Sequence, residues 1–106
     1  MIKETTINQL KEKIDKKEEF ILIDVRTEEE MFFGKINYNS LFIPLHEIPS
    51  KIQGLDKEKE IITYCRSGER SSFAASYLSK HGFTKVSNLK GGILAWRKFD
   101  SAIIPY

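Results

Sequence analysis

Cys65 is the single cysteine of this sequence, and it heads the run Cys65-Arg66-Ser67-Gly68-Glu69-Arg70-Ser71. The residues before it, Glu60-Ile61-Ile62-Thr63-Tyr64, read as a buried strand that delivers the thiol to a sheet edge. The six residues from Cys65 to Arg70 then read as a tight turn, with a helix starting at Ser71. Gly68 supplies the backbone freedom such a turn requires. Inward-pointing loop amides and a helix N-terminus form a cradle for negative charge. The guanidinium groups of Arg66 and Arg70 strengthen that field, and Glu69 partly offsets it. These surroundings favour thiolate over thiol. A thiolate in an anion-binding cup is a nucleophile set against an electron-poor atom of an anionic substrate.

A lone cysteine is commonly just a small buried hydrophobe. That role explains neither the glycine turn, nor the two arginines, nor the helix start. With no second cysteine there is neither an internal disulfide nor a resolving thiol. Whatever Cys65 picks up must therefore leave to another molecule.

The remaining polar residues read as support. Asp24 and Arg26 sit at a strand end on the same edge; Arg26 is expected to pair with Glu30 across one helical turn, and Asp24 to accept loop amides. Such partners orient a site rather than react in it. His46 and His81 have no ligand-type residue at metal-binding spacing, so no metal is expected. Gly91-Gly92 lack the order of a phosphate loop and are expected to let the backbone pass close to another element, with the Cys65 loop the candidate. Phe32 and Phe33, if exposed beside the site, would form a docking rim.

The elements that must position these residues alternate along the chain. Thr6-Ile7-Asn8-Gln9 has capping-box spacing, and Ile7, Leu10 and Ile14 then share a helical face. Phe20 to Val25 reads as a strand buried on both sides, and Thr27 caps a short acidic helix ending at Gly34. Leu41-Phe42-Ile43 is a strand stopped by Pro44, with a short helix from His46 to Ile52. Ser71 to His81 has helical spacing, Lys85-Val86-Ser87 is a last strand, and a helix carries Ile93, Leu94, Trp96 and Phe99. This alternation predicts an α/β fold with helices on both faces of the sheet. Ligands in such folds sit beyond the carboxyl ends of the strands, where Cys65 lies.

At 106 residues the chain has room for one domain, 1–106, with one core. Its formal charge of +2 argues for neither a nucleic-acid nor a membrane partner. No apolar run exceeds four residues and the N-terminal residues do not resemble a signal peptide, so a cytoplasmic protein is expected.

The Cys65–Ser71 run resembles the active-site loop of rhodanese homology domains, in which the cysteine becomes a persulfide. Ile23-Asp24-Val25-Arg26 with Glu30, Phe42-Ile43-Pro44-Leu45, and Asn88-Leu89-Lys90-Gly91-Gly92-Ile93-Leu94-Ala95-Trp96 resemble further parts of that family in the same order. The segment Gly34-Lys35-Ile36-Asn37-Tyr38-Asn39-Ser40 departs from it, with Lys35 where the family usually has histidine. The resemblance implies a three-layer domain with a mostly parallel sheet of about five strands. It implies a sulfurtransferase using a Cys65 persulfide, with substrate contacts from Arg66, Ser67, Gly68, Glu69, Arg70 and Ser71 and no cofactor. The donor would be thiosulfate or a low-molecular-weight persulfide; the acceptor would be cyanide in an assay or a thiol in the cell. A protein-to-protein sulfur relay with little small-molecule turnover is the alternative. A phosphatase fits less well: tyrosine-phosphatase loops place one residue more between cysteine and arginine than the four here. Nothing places the acids Asp56 or Asp100 over the loop.

Overall fold

The computed structural model describes residues 2–104. Its strands are β1 (Lys3–Thr5), β2 (Ile21–Asp24), β3 (Leu41–Phe42), β4 (Ile61–Tyr64) and β5 (Val86–Leu89). Its helices are α1 (Ile7–Asp15), α2 (Glu28–Phe32), α3 (Ile48–Lys51), α4 (Glu69–Lys80) and α5 (Gly92–Trp96). The sheet runs in the order β1-β5-β4-β2-β3, and every pair in it is parallel. A chain entering each strand from the same end must cross over through helices, and these cover both faces. No helix among the described residues is long and apolar enough to cross a membrane.

Two capping boxes set the first helix starts. Thr6 and Gln9 bond reciprocally at the head of α1, and Thr27 and Glu30 do the same at the head of α2. The short helix expected after Pro44 is a 3-10 turn, Leu45–Glu47, running into α3.

Strand alternation decides where the thiol goes. On β4, Ile62 and Tyr64 pack with Leu10, Ile93 and Trp96 on the face covered by α1 and α5. Ile61 and, beyond the strand, Cys65 pack with Ile48, Ala74, Ala75 and Leu78 on the face covered by α3 and α4. Successive side chains on a strand point to opposite faces, so residues at i and i+4 share one. The central strand therefore aims Cys65 at the start of α4.

The expected strands after residue 20 are present, but β1 was not anticipated. Its residues Lys3-Glu4-Thr5 carry no apolar alternation, because β1 is a sheet edge with Lys3 and Glu4 exposed. Its pairing with Ser87, Asn88 and Leu89 of β5 is what makes it a strand. The atypical Gly34–Ser40 segment is anchored by fully buried Ile36, whose amide donates to the Tyr64 hydroxyl at 3.3 Å.

Candidate active site

The cup around Cys65 begins with a turn reversal at Gly68. Its φ of 110° is left-handed, a conformation glycine tolerates without strain. This turn starts α4 at Glu69, two residues before the expected Ser71. Gly68 occupies the cap position and has no side chain to bond the helix's open amides. The sulfur of Cys65 does so instead, accepting from the Gly68 amide at 3.2 Å and the Ser71 amide at 3.4 Å. Ser71 is the third residue of α4, whose amide a capping side chain normally takes.

The outer wall of the cup is held by α5. The Ile93 amide donates to the Cys65 carbonyl at 2.9 Å, and the Leu94 amide to the Arg66 carbonyl at 3.1 Å. In a trans peptide the C=O and N–H point in opposite directions. Drawing these two carbonyls outward therefore turns the amides of Arg66 and Ser67 inward. Gly92 allows the approach: a Cβ there would lie 2.5 Å from both carbonyl oxygens. The expectation that the double glycine passes close to the Cys65 loop is met at Gly92.

Burial pushes the Cys65 thiol up. Hydrogen bonds from the Ser71 hydroxyl and the amides of Ser71, Gly68 and Ser67 outweigh it and hold the thiol below its ordinary pKa. The thiolate bias thus comes mainly from hydrogen bonds at the loop and helix start, part of the expected cradle, and less from the guanidinium groups expected to strengthen it. Arg66 on the loop and Glu69 at the first position of α4 are exposed. Arg70 is engaged bidentately by Glu30, at 2.6 and 2.8 Å, although its charge still acts favourably on Cys65.

Arg26 also departs from expectation. It does not pair with the Glu30 carboxylate; its Nη1 reaches only the Glu30 backbone carbonyl, at 3.5 Å. Arg26 instead clamps Asp24 through Nε at 3.0 Å and Nη2 at 2.8 Å, and Nη2 also donates to the Gly34 carbonyl at 2.7 Å. Asp24 does accept a loop amide, that of Arg26 at 3.0 Å, and takes the Tyr64 hydroxyl at 2.9 Å. This buried network fixes the carboxyl ends of β2 and β4 against each other. Glu30 is free to hold Arg70 because the α2 capping box already fixes its side chain.

The Glu30–Arg70 pair predicts a pH effect. The Arg70 hydrogen bonds, helped by the Thr27 amide and opposed by burial, pull the Glu30 carboxyl from 4.5 to about 2. A carboxyl depressed by folding stabilises the fold above its unfolded pKa, and that contribution is lost as pH falls through its folded value. With solvent screening at the partly exposed Arg70, about 1–2 kcal/mol is expected. Urea midpoints above pH 4.5 and near pH 2 should fall more for wild type than for Glu30→Gln. Equal falls would mean that the pair adds no stability.

Two residues absent from the expected substrate-binding and supporting set belong to this framework. Glu30 was read as a partner for Arg26 and as part of a family-like segment, and Asn88 only as part of another such segment. A polar residue directly after the expected strand Lys85-Val86-Ser87, between Ser87 and Leu89, was the available signal for Asn88. The acids a phosphatase would need lie elsewhere: Asp56 accepts the Glu58 amide and Asp100 the Ala102 amide, each in its own turn. No group of three potential metal ligands occurs among the described residues.

Comparison with known proteins finds matches over most of the chain. The family model described as Rhodanese-like domain matches residues 6–99. A protein of Allochromatium vinosum named sulfurtransferase is 36% identical over 104 residues, covering 98% of this chain and 96% of its own. YtwF of Bacillus subtilis is 46% identical over 95 residues and 90% of each chain. The crystal structure of a rhodanese-like domain protein from Staphylococcus aureus superposes with a TM-score of 0.83 at 33% identity, covering 90% of this chain and 91% of that one.

Proposed function

Because the chain belongs to the rhodanese-like domain family, we propose that it moves sulfane sulfur from thiosulfate or a low-molecular-weight persulfide to a thiophilic acceptor. The observation that carries this reading is the Cys65 sulfur, held by two amides and a hydroxyl at the mouth of a helix. In the first half-reaction the Cys65 thiolate attacks the outer sulfur of thiosulfate. A bond forms from Sγ to that sulfur, the donor's sulfur–sulfur bond breaks, and sulfite leaves with the electron pair. The inward amides, with Arg70 behind them, stabilise the anion as it departs and then the persulfide left on Cys65. In the second half-reaction cyanide or a thiolate attacks the outer sulfur, and Cys65 leaves as thiolate. The cycle is ping-pong and draws on no cofactor.

Reduced protein incubated with thiosulfate and freed of excess donor should gain the mass of one sulfur atom. Cyanide should then release that sulfur as thiocyanate. An unchanged mass would reject thiosulfate as donor.

A protein-to-protein relay is the second reading, and the exposure of Phe32 favours it. That ring is 83% exposed on α2, two residues after the Glu30 that holds Arg70. An apolar ring this exposed beside a site suits contact with a protein surface. In this reading Phe32→Ser should slow transfer from a persulfide-charged protein and leave transfer from a small persulfide unchanged. Equal effects on both donors would remove the support.

A further inference from the structure

Asn88 is 3% exposed at the carboxyl end of β5, and neither half-reaction written above uses it. Its amide has a fixed orientation, because Nδ2 donates to the Gly68 carbonyl at 3.0 Å. That leaves Oδ1 facing the Ser71 hydroxyl, 2.5 Å away. The same hydroxyl lies 3.2 Å from the Cys65 sulfur. A serine hydroxyl carries one proton, so it donates either to Oδ1 or to Sγ. We propose that Asn88 is a positioning residue: it competes with Cys65 for the Ser71 proton and thereby limits how strongly the cup stabilises the thiolate.

The proposal rests on the reading of Cys65 as the reacting thiol. With a thiol at 65 the hydroxyl proton sits on Asn88. With a thiolate it turns to Sγ, at the cost of the Asn88 bond. This balance keeps the sulfur from being so stabilised that its nucleophilicity falls. The charged groups around it are Glu69 and Arg70 on α4, Glu30 on α2, the Asp24–Arg26 pair at the end of β2, and Arg66 on the loop. The Asn88 side chain bonds Ser71 and Gly68 rather than any of these charged groups.

Cys65 is the lone cysteine, so the pH dependence of its alkylation by iodoacetamide reads its ionisation directly. Asn88→Leu, or Asn88→Val if the first does not fold, should lower the midpoint by about half a pH unit or more when Ser71 is present. In a Ser71→Ala background the same change should give no downward shift. Equal shifts in both backgrounds, or an upward shift with Ser71 present, would overturn the proposal. In the wild type, the Asn88 side-chain amide resonance should titrate with the same midpoint as alkylation; a flat resonance would overturn it independently. None of these measurements involves sulfur transfer. A failure of Cys65 to load sulfur would therefore count against the proposed function and be distinguishable from a failure here.

Discussion

Cys65→Ser is expected to take up no sulfur from thiosulfate, with turnover below about one thousandth of wild type. Serine keeps the shape of the side chain, and its oxygen can still accept from the Gly68 and Ser71 amides, so the loop and α4 should fold as before. What it loses is the nucleophile. A hydroxyl is far less acidic than a thiol, and the hydrogen bonds that hold Cys65 below its ordinary pKa do not ionise an alcohol. Serine also has no sulfur on which to carry a persulfide. Intact mass after thiosulfate treatment, wild type beside variant, reads the difference without ambiguity because no second thiol exists. Full uptake by the variant would end the persulfide mechanism.

Gly92→Ala should damage both stability and sulfur loading, though Gly92 gives none of the hydrogen bonds from Gly68 and Ser71 that hold the Cys65 sulfur. Its φ of 59° is left-handed, which costs a residue with a Cβ about 1–2 kcal/mol. The added Cβ would also stand 2.5 Å from the Cys65 and Arg66 carbonyl oxygens, and it meets backbone rather than a side chain that could swing aside. Relieving that overlap adds about 1–3 kcal/mol. A total near 2–5 kcal/mol follows, visible as a large drop in Tm. The clash also reaches function: pushing those two carbonyls off α5 rotates their peptide planes and tilts the Arg66 and Ser67 amides away from the cup. Loading with thiosulfate should therefore fall even at temperatures where the variant remains folded. Gly54→Ala is the control, since nothing lies within 4 Å of a Cβ there. A Gly92→Ala protein with wild-type Tm and wild-type loading would show that the close approach of α5 is dispensable.

Both predictions concern one loop, but its parts differ in how legible they were. Cys65, Gly68 and Ser71 could be read directly, because a strand, a glycine turn and a helix start are written into consecutive residues. Thr6 and Thr27 were readable for the same reason, since a cap acts on amides within the next turn. The alternation of β4 was local too, and it was enough to bring the thiol to the end of the central strand.

Partner choice among charged groups was not local. Arg26, Glu30 and Arg70 offer two cations and one anion within reach of plausible pairings, and short spacing favoured Arg26 with Glu30. The structure pairs Glu30 with Arg70, 40 residues away, and Arg26 with Asp24. Parallel register sets Asp24 beside Tyr64, and the crossover that places α2 against the start of α4 brings Glu30 to Arg70. Charge alone does not specify a partner, because Coulomb attraction has no preferred direction; the backbone decides which groups meet. β1 shows the same in the sheet, where a polar edge strand exists only through its neighbour β5. A few adjacent residues were enough to specify where the thiol stands and the turn that holds it. Tertiary structure alone decided how the cup is braced, by α5 against two carbonyls, Asn88 against Ser71 and Glu30 against Arg70, because each brace joins segments that meet only once the sheet has formed.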